Sequence, residues 1–179
     1  MSQFVVTDDG GVYEASVRAT VTKLKELFPG IDPTSLEASL MLERSHRLLA
    51  GQRESHWARY GLTGRRFILL RLLYTSPEKR LSMSEIAAEM NLGMNNVSQL
   101  VANLVRDGLV ERKSATADKR VVHAVLTAKG EDLFADVFPE NSQRIQAAWS
   151  PLAESERLLL IDLLSRLRRH LLAGEAALD

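Results

Sequence analysis

The chain contains no cysteine in its 179 residues. Thiolate catalysis, disulfide staples, thiol-based redox sensing and cysteine-ligated metals therefore lie outside its chemistry. It also lacks any uncharged apolar run long enough to span a bilayer, and its start, MSQFVVTDDGG, has no basic segment leading into an apolar one. A cytoplasmic protein with no membrane partner is the expectation. Net charge is missing as well, since 23 basic side chains balance 23 acidic ones. That balance argues against a partner held by bulk electrostatics alone. No nucleophile–base pair, phosphate-cradling glycine loop or carboxylate cluster stands at a useful spacing, so neither an enzyme nor a cofactor is implied. His46, His56, His123 and His170 are scattered, and although Glu43 and His46 lie one helical turn apart, no paired spacing marks a metal site.

What is present is the ordinary stock of a folded chain: 45% apolar and 26% charged residues, in a length that suits one or two compact units. The zero sum hides an uneven distribution. Residues 43–81 carry nine basic and three acidic side chains, whereas residues 1–42 carry three and six. Residues 82–130 are close to balance, with six and five, and residues 131–179 return to acid, with five and nine. A basic middle between acidic ends is where a polyanion would be met.

Helical patterning opens the chain. Val17, Val21, Leu24 and Phe28 form one apolar stripe that stops at Pro29-Gly30. Asp32-Pro33 then reads as an N-cap followed by proline at the first helical position, and a long helix runs to about Tyr60 and Gly61. Thr63 caps another helix, with Phe67, Leu70 and Tyr74 as its stripe and Ser76-Pro77 as its stop. Ser82 and Glu85 have capping-box spacing, and Leu81 and Ile86 sit at hydrophobic-staple positions. The short helix they open reaches about Met90. After the tight turn Asn91-Leu92-Gly93, a second helix spans Met94 to Asp107, buries Val97, Leu100, Val101 and Leu104, and ends at Gly108 as a left-handed cap. This is a helix-turn-helix.

Two strand candidates follow, Leu109–Lys113 and Arg120–Leu126, joined by the polar segment SATADK, with Val122, Ala124 and Leu126 on one face. Thr127 caps a helix expected to run through Phe138 and to break near Pro139. Ser150-Pro151 is expected to cap the last helix, where Leu159, Leu163, Leu167 and Leu171 step by four. The fold class is thus mainly α (α+β): a winged helix-turn-helix with a two-stranded β-wing and flanking long dimerisation helices. Residues 1–62 would supply N-terminal dimerisation helices, 63–130 the winged unit, and 131–179 the C-terminal dimerisation helices.

The stretch LSMSEIAAEMNLGMNNVSQLVANLVRDGLVERKSATADKRVVHAVLTAKG resembles the core of the multiple-antibiotic-resistance regulator (MarR) family. The likeness is carried by the Leu-Ser start, Ile86-Ala87, Gly108-Leu109-Val110-x-Arg112, Asp118-Lys119-Arg120 and Leu126-Thr127-x-x-Gly130. It implies a homodimer on double-stranded DNA, at a pseudo-palindromic operator, with a recognition helix in each major groove and a wing along the minor groove.

The residues bear the same reading. Asn95, Asn96, Ser98, Gln99 and Asn103 are what the buried stripe of the second helix leaves outside. Asn and Gln can pair bidentately with adenine. In isolation an Asn-rich helix face is ordinary solvated surface; the adjoining turn and wing change its meaning. Ser82, Ser84 and Gly93 offer hydroxyls and helix-start amides to phosphates. Lys119 and Arg120 at the wing tip suit a backbone and a narrow minor groove, and the resemblance implies that Asp118 orients Arg120. Lys113 and Arg112 are phosphate candidates, with a structural role open for Arg112. Gln99 stands where many family members carry a basic residue mid-helix, so a modest salt slope is expected.

The family's habit of sensing small aromatic or phenolic compounds directs attention to His46, Trp57, Tyr60, Arg65, Phe67 and Arg71, aromatic surfaces beside cations that would suit a planar anion. The alternative is that the aromatics are packing residues and the arginines face solvent or phosphate. Urate is not the expected ligand. The branch that answers to it carries a tryptophan in the extra N-terminal helix and an acid in the helix after Thr63; this chain has no tryptophan before Trp57, and Ile68 stands where the acid would be. The expected function is a sequence-specific DNA-binding transcriptional regulator, a repressor released by a small molecule. Its rival is a winged-helix protein-interaction module that does not read DNA.

Overall fold

FVVTDDGGVYE carries the triplets Phe-Val-Val and Val-Tyr-Glu, and they pair antiparallel as β1 (Phe4–Val6) and β2 (Val12–Glu14), with Val6 opposite Val12. The helical expectation for the first third misses this hairpin. Gly10 takes φ +81°, and its amide donates to the Thr7 carbonyl at 2.9 Å. The computed structural model describes residues 3–8, 10–114 and 121–175, and divides into two units, Met1–Ser55 and His56–Asp179.

In the first unit, α1 (Ala15–Leu27) buries Val17 and Val21 of its expected stripe, whereas Phe28 is exposed. Buried Glu14 is answered by the Ser16 hydroxyl at 3.1 Å and by Arg44 at 3.2 Å. α2 (Pro33–Ala58) starts as its sequence indicates, because the Asp32 carboxylate accepts the Thr34 and Ser35 amides at 3.1 and 3.3 Å.

The second unit holds the main core. Gly61 at φ +67° closes α2 with a Schellman pair: Leu62 N donates to Trp57 O at 3.0 Å and Gly61 N to Ala58 O at 3.1 Å. Thr63 caps α3 (Gly64–Thr75) by accepting the Arg66 amide. The expected stripe of α3 is too narrow. Leu69 and Leu73 are fully buried along with Phe67 and Leu70, while Tyr74 is partly exposed, because neighbours pack α3 on more than one side. Burial of a side chain of this size stabilises by about 1.5–3 kcal/mol.

A short strand absent from the sequence expectation, β3 (Arg80–Ser82), adds to the wing strands β4 (Val110–Ser114) and β5 (Val122–Leu126). The sheet order is β3-β5-β4, antiparallel throughout, with Leu81 opposite Ala124 and Arg112 opposite Ala124 on the other side. The wing root is therefore three-stranded, and β5 is central, which explains why Ala124 is fully buried. Between β3 and β4 run α4 (Met83–Met90) and α5 (Met94–Arg106).

Two expectations fail after the sheet. α6 (Ala128–Trp149) passes through Pro139 without breaking. The one backbone bond proline removes is offset by packing on both sides of it, where Phe134, Val137 and Asn141 are buried. Ser150-Pro151 does not cap the last helix. Ser150 ends α6 and its hydroxyl bonds back to Ala147 O at 2.9 Å, whereas α7 (Glu154–Glu175) starts later, with Glu156 accepting the Ala153 amide at 2.7 Å. Among the described residues no helix is long and apolar enough to cross a membrane.

Candidate nucleic-acid interface

The capping box forms at the start of α4. Ser82 Oγ accepts the Glu85 amide at 3.2 Å, and Glu85 Oε2 accepts the Ser82 amide at 2.7 Å. Hydrogen bonding from Ser82, through its side chain first and its backbone amide second, holds the Glu85 carboxyl below its ordinary value of 4.5. The Ser82 hydroxyl is committed to this cap and is buried, while Ser84 stands exposed, its hydroxyl 3.1 Å from that of Ser82. α4 closes on Asn91 at φ +49°, a left-handed residue that Asn tolerates. Leu92 N donates to Ala87 O at 3.0 Å and Asn91 N to Ala88 O at 3.3 Å. Gly93 then opens α5, with open space where a Cβ would stand.

α5 buries Val97, Val101 and Leu104 completely, with Leu100 packed at the margin. Asn95, Asn96, Ser98 and Gln99 are exposed and Asn103 is half-buried. The helix is held at its end and at its middle. At the end, Gly108 at φ +71° makes a second Schellman pair, with Leu109 N on Leu104 O at 2.9 Å. Lys129 Nζ and Thr127 Oγ1 donate to the Asp107 and Gly108 carbonyls at 2.9 and 2.8 Å, and Asp107 forms a close ion pair with Arg66 of α3. At the middle, Arg112 of β4 donates from Nη2 to the Ser98 carbonyl at 2.8 Å. Of the two readings left open for Arg112, the structure supplies the contacts of the structural one. Lys113 Nζ lies 2.5 Å from Glu111 Oε1. The tip residues Asp118, Lys119 and Arg120 lie outside the described residues.

Within the second unit, the aromatic and cationic residues expected to face a planar ligand take different settings. Trp57 and Phe67 are core: their rings stack at 4.7 Å and 17°, and Trp57 Nε1 donates to Asn141 Oδ1 at 3.1 Å. Of the two readings open for these aromatics, ligand contact or packing, the structure supplies the contacts of packing. Tyr60 donates its hydroxyl to Glu140 at 3.2 Å. Arg71 and His46 are exposed on α3 and α2. Arg65 lies beside α5 and not beside Trp57. The sequence reading missed Glu140, which accepts from Arg59, Arg144 and Tyr60. Arg144 first, then Arg59, hold its carboxyl down at about 2. Only the Arg144 spacing, one turn away on the same helix, was readable in advance.

A capped short helix, a left-handed turn and a second helix with an amide-bearing outer face, braced by a paired strand ladder, make a winged helix-turn-helix of the DNA-binding kind. The model of the MarR family matches residues 60–121. The HTH-type transcriptional regulator MhqR of Bacillus subtilis is 30% identical over 132 residues, 74% of this chain and 90% of that protein. The transcriptional repressor YetL of the same organism is 29% identical over 147 residues, 82% and 88% of the two chains. Among solved structures, the MarR family regulator AbsC of Streptomyces coelicolor superposes with TM-score 0.76 at 25% identity, covering 80% of this chain and 97% of that one. Sco3205 of the same organism, solved in complex with DNA, gives 0.75 at 22%, with 78% and 89% covered, a likeness of fold. NadR, solved with 4-hydroxyphenylacetate, gives 0.61 at 26%, with 72% and 89% covered. The chain belongs to the MarR family of DNA-binding transcriptional regulators.

Proposed function

We propose that the protein is a homodimeric repressor that holds a pseudo-palindromic operator and is released from it by a small aromatic or phenolic compound. The observation that carries this reading is the outer face of α5. It is rich in carboxamides, is fixed at its middle by Arg112 and at its end by Arg66, Lys129 and Thr127, and rests on a fully apolar inner face. A helix presented so rigidly can place Asn95 and Gln99 against base edges, each good bidentate pair giving about 1–3 kcal/mol of discrimination. Ser84, the start of α5 at Gly93, Lys113 and the wing tip at Asp118, Lys119 and Arg120 serve the backbone and the minor groove in this reading.

The dimer is supported by α7, where Leu159, Leu163 and Leu167 are 59%, 46% and 42% exposed in the single chain. An apolar ladder of this kind needs a second surface. Repression is supported by the repressor relative YetL, and DNA occupancy by the fold shared with Sco3205. Ligand release is supported by NadR, whose solved complex holds 4-hydroxyphenylacetate. Release would follow if ligand favours a dimer whose two α5 helices no longer match successive major grooves, about 34 Å apart.

The test is footprinting and anisotropy on the DNA upstream of the protein's own gene, with Asn95→Ala and Gln99→Ala beside the wild type. The expected result is protection of two half-sites one helical turn apart, and lost discrimination in both variants. Weak binding that is equal for all duplexes and all three proteins would leave the protein-interaction module as the better reading.

A further inference from the structure

Base reading does not account for one flank of α5. Relative to buried Val97, Val101 and Leu104, the 3.6-residue period sends Asn95 and Gln99 straight outward. Ser98 falls toward the wing, where Arg112 takes its carbonyl. Asn96 and Asn103 fall on the opposite flank, toward the start of α3. There a groove of about 330 Å³ runs between the two helices, walled by Arg65, Arg66 and Thr63 on one side and by Asn96, Asn103 and Arg106 on the other, where Gln99 also borders it.

The charge of this groove is unbalanced. Arg66 is committed, to Asp107 through the close ion pair and to the Gly61 carbonyl at 3.1 Å. Arg106 is three-quarters exposed and only 3.9 Å from the same Asp107, whose other oxygen Arg66 already holds. Arg65 is exposed, with no carboxylate paired to it among the described residues. Arg65 thus has no carboxylate partner among the described residues, and Arg106 has only a long, exposed contact to one that Arg66 already holds. These two guanidinium groups stand on opposite walls, with neutral carboxamide donors between them.

A helix seated in a major groove has a phosphate strand along each flank. The geometry points to a backbone-phosphate site in this groove, with Arg65 and Arg106 as its cationic arms and Asn96 and Asn103 as its neutral donors. This inference rests on the reading that α5 enters the major groove. It divides the polar residues of α5 by role: Asn95 and Gln99 read bases, whereas Asn96 and Asn103 position the helix. It also supplies from the flank the charge that Gln99 does not supply from the middle.

Phosphate contacts are independent of sequence, so the test does not need the operator. The affinity for a generic 30-base-pair duplex is measured against salt for the wild type, Arg65→Gln, Arg106→Gln, the double variant and the Lys replacements. Each Gln variant is expected to lower the slope of log affinity against log salt by about 0.9, and each Lys variant to retain it. Asn95→Ala and Gln99→Ala are expected to leave that slope alone. A double variant with the wild-type slope would overturn the site while leaving the DNA reading intact. Failure of the wild type to bind any duplex would overturn both. Arg65 and Arg106 are exposed, so unchanged thermal melting is the expected control for folding.

Discussion

At Gly130, in the first turn of α6, a methyl group has nowhere to go. A Cβ there would collide with the Leu109 carbonyl oxygen and stand 2.8 Å from Leu126 Cδ1. The Gly130 amide meanwhile donates to the Thr127 cap at 3.1 Å, so the helix start cannot move away without losing its cap. Gly130→Ala is therefore expected to destabilise by about 1–3 kcal/mol, read as a lower urea midpoint at constant m. A midpoint equal to the wild type would show that the wing root yields. The Leu-Thr-x-x-Gly token was visible in the sequence, but its cause was not, because the colliding atom belongs to a strand root far along the chain. Ser82 teaches the converse. Its capping box was legible from four neighbouring residues, whereas its burial in that box was not.

Between elements, single bonds set orientation. Arg112 ties β4 to the middle of α5 through a carbonyl that already serves the helix. Arg112→Met keeps the stem and removes the donor. It is expected to weaken operator binding several-fold while leaving the salt slope unchanged, because no phosphate contact is lost. A slope reduced by about one would instead make Arg112 a phosphate ligand. A second tie joins α6 to the end of α2, where Glu140 meets Arg59 and Tyr60, with Arg144 alongside and the buried His56 Nδ1 at 3.6 Å. The Glu140 carboxyl titrates at about 2 in the fold and near 4.5 when free. A depressed carboxylate stabilises above its unfolded value, and its contribution fades as pH falls toward its folded value. The wild type is thus expected to lose stability relative to Glu140→Gln between about pH 4.5 and pH 2, followed by denaturation across that window. Parallel curves for the two proteins would remove Glu140 from the acid limb. The breaks expected at Pro139 and Ser150-Pro151 fail for a related reason: what keeps α6 continuous is Phe134, Val137 and Asn141 finding partners elsewhere in the unit.

For the whole molecule, the question is what covers α7. Leu163→Glu with Leu167→Glu places two charges on the exposed ladder without touching the core. Light scattering is expected to show a dimer for the wild type and a monomer for this variant. The variant should retain its helical content and lose protection of paired half-sites. A dimeric variant with intact footprints would move the dimer surface elsewhere in the chain.

Local physics is written in adjacent residues, and so it could be read from them. The capping box at Ser82, the tight turn Asn91-Leu92-Gly93, the left-handed cap at Gly108 and the apolar stripe of α5 each need only a few neighbours, and together they marked the helix-turn-helix and its family. The tertiary structure alone decided three further matters. It recruited Arg80–Ser82 as a third strand, because β5 had an unpaired edge to fill. It spent the Trp57 and Phe67 faces on each other, because a core of this size needs their area. And it brought Arg65, Arg66 and Arg106 to one groove against a single Asp107, a charge excess that depends on distances across the fold, which no spacing along the chain encodes.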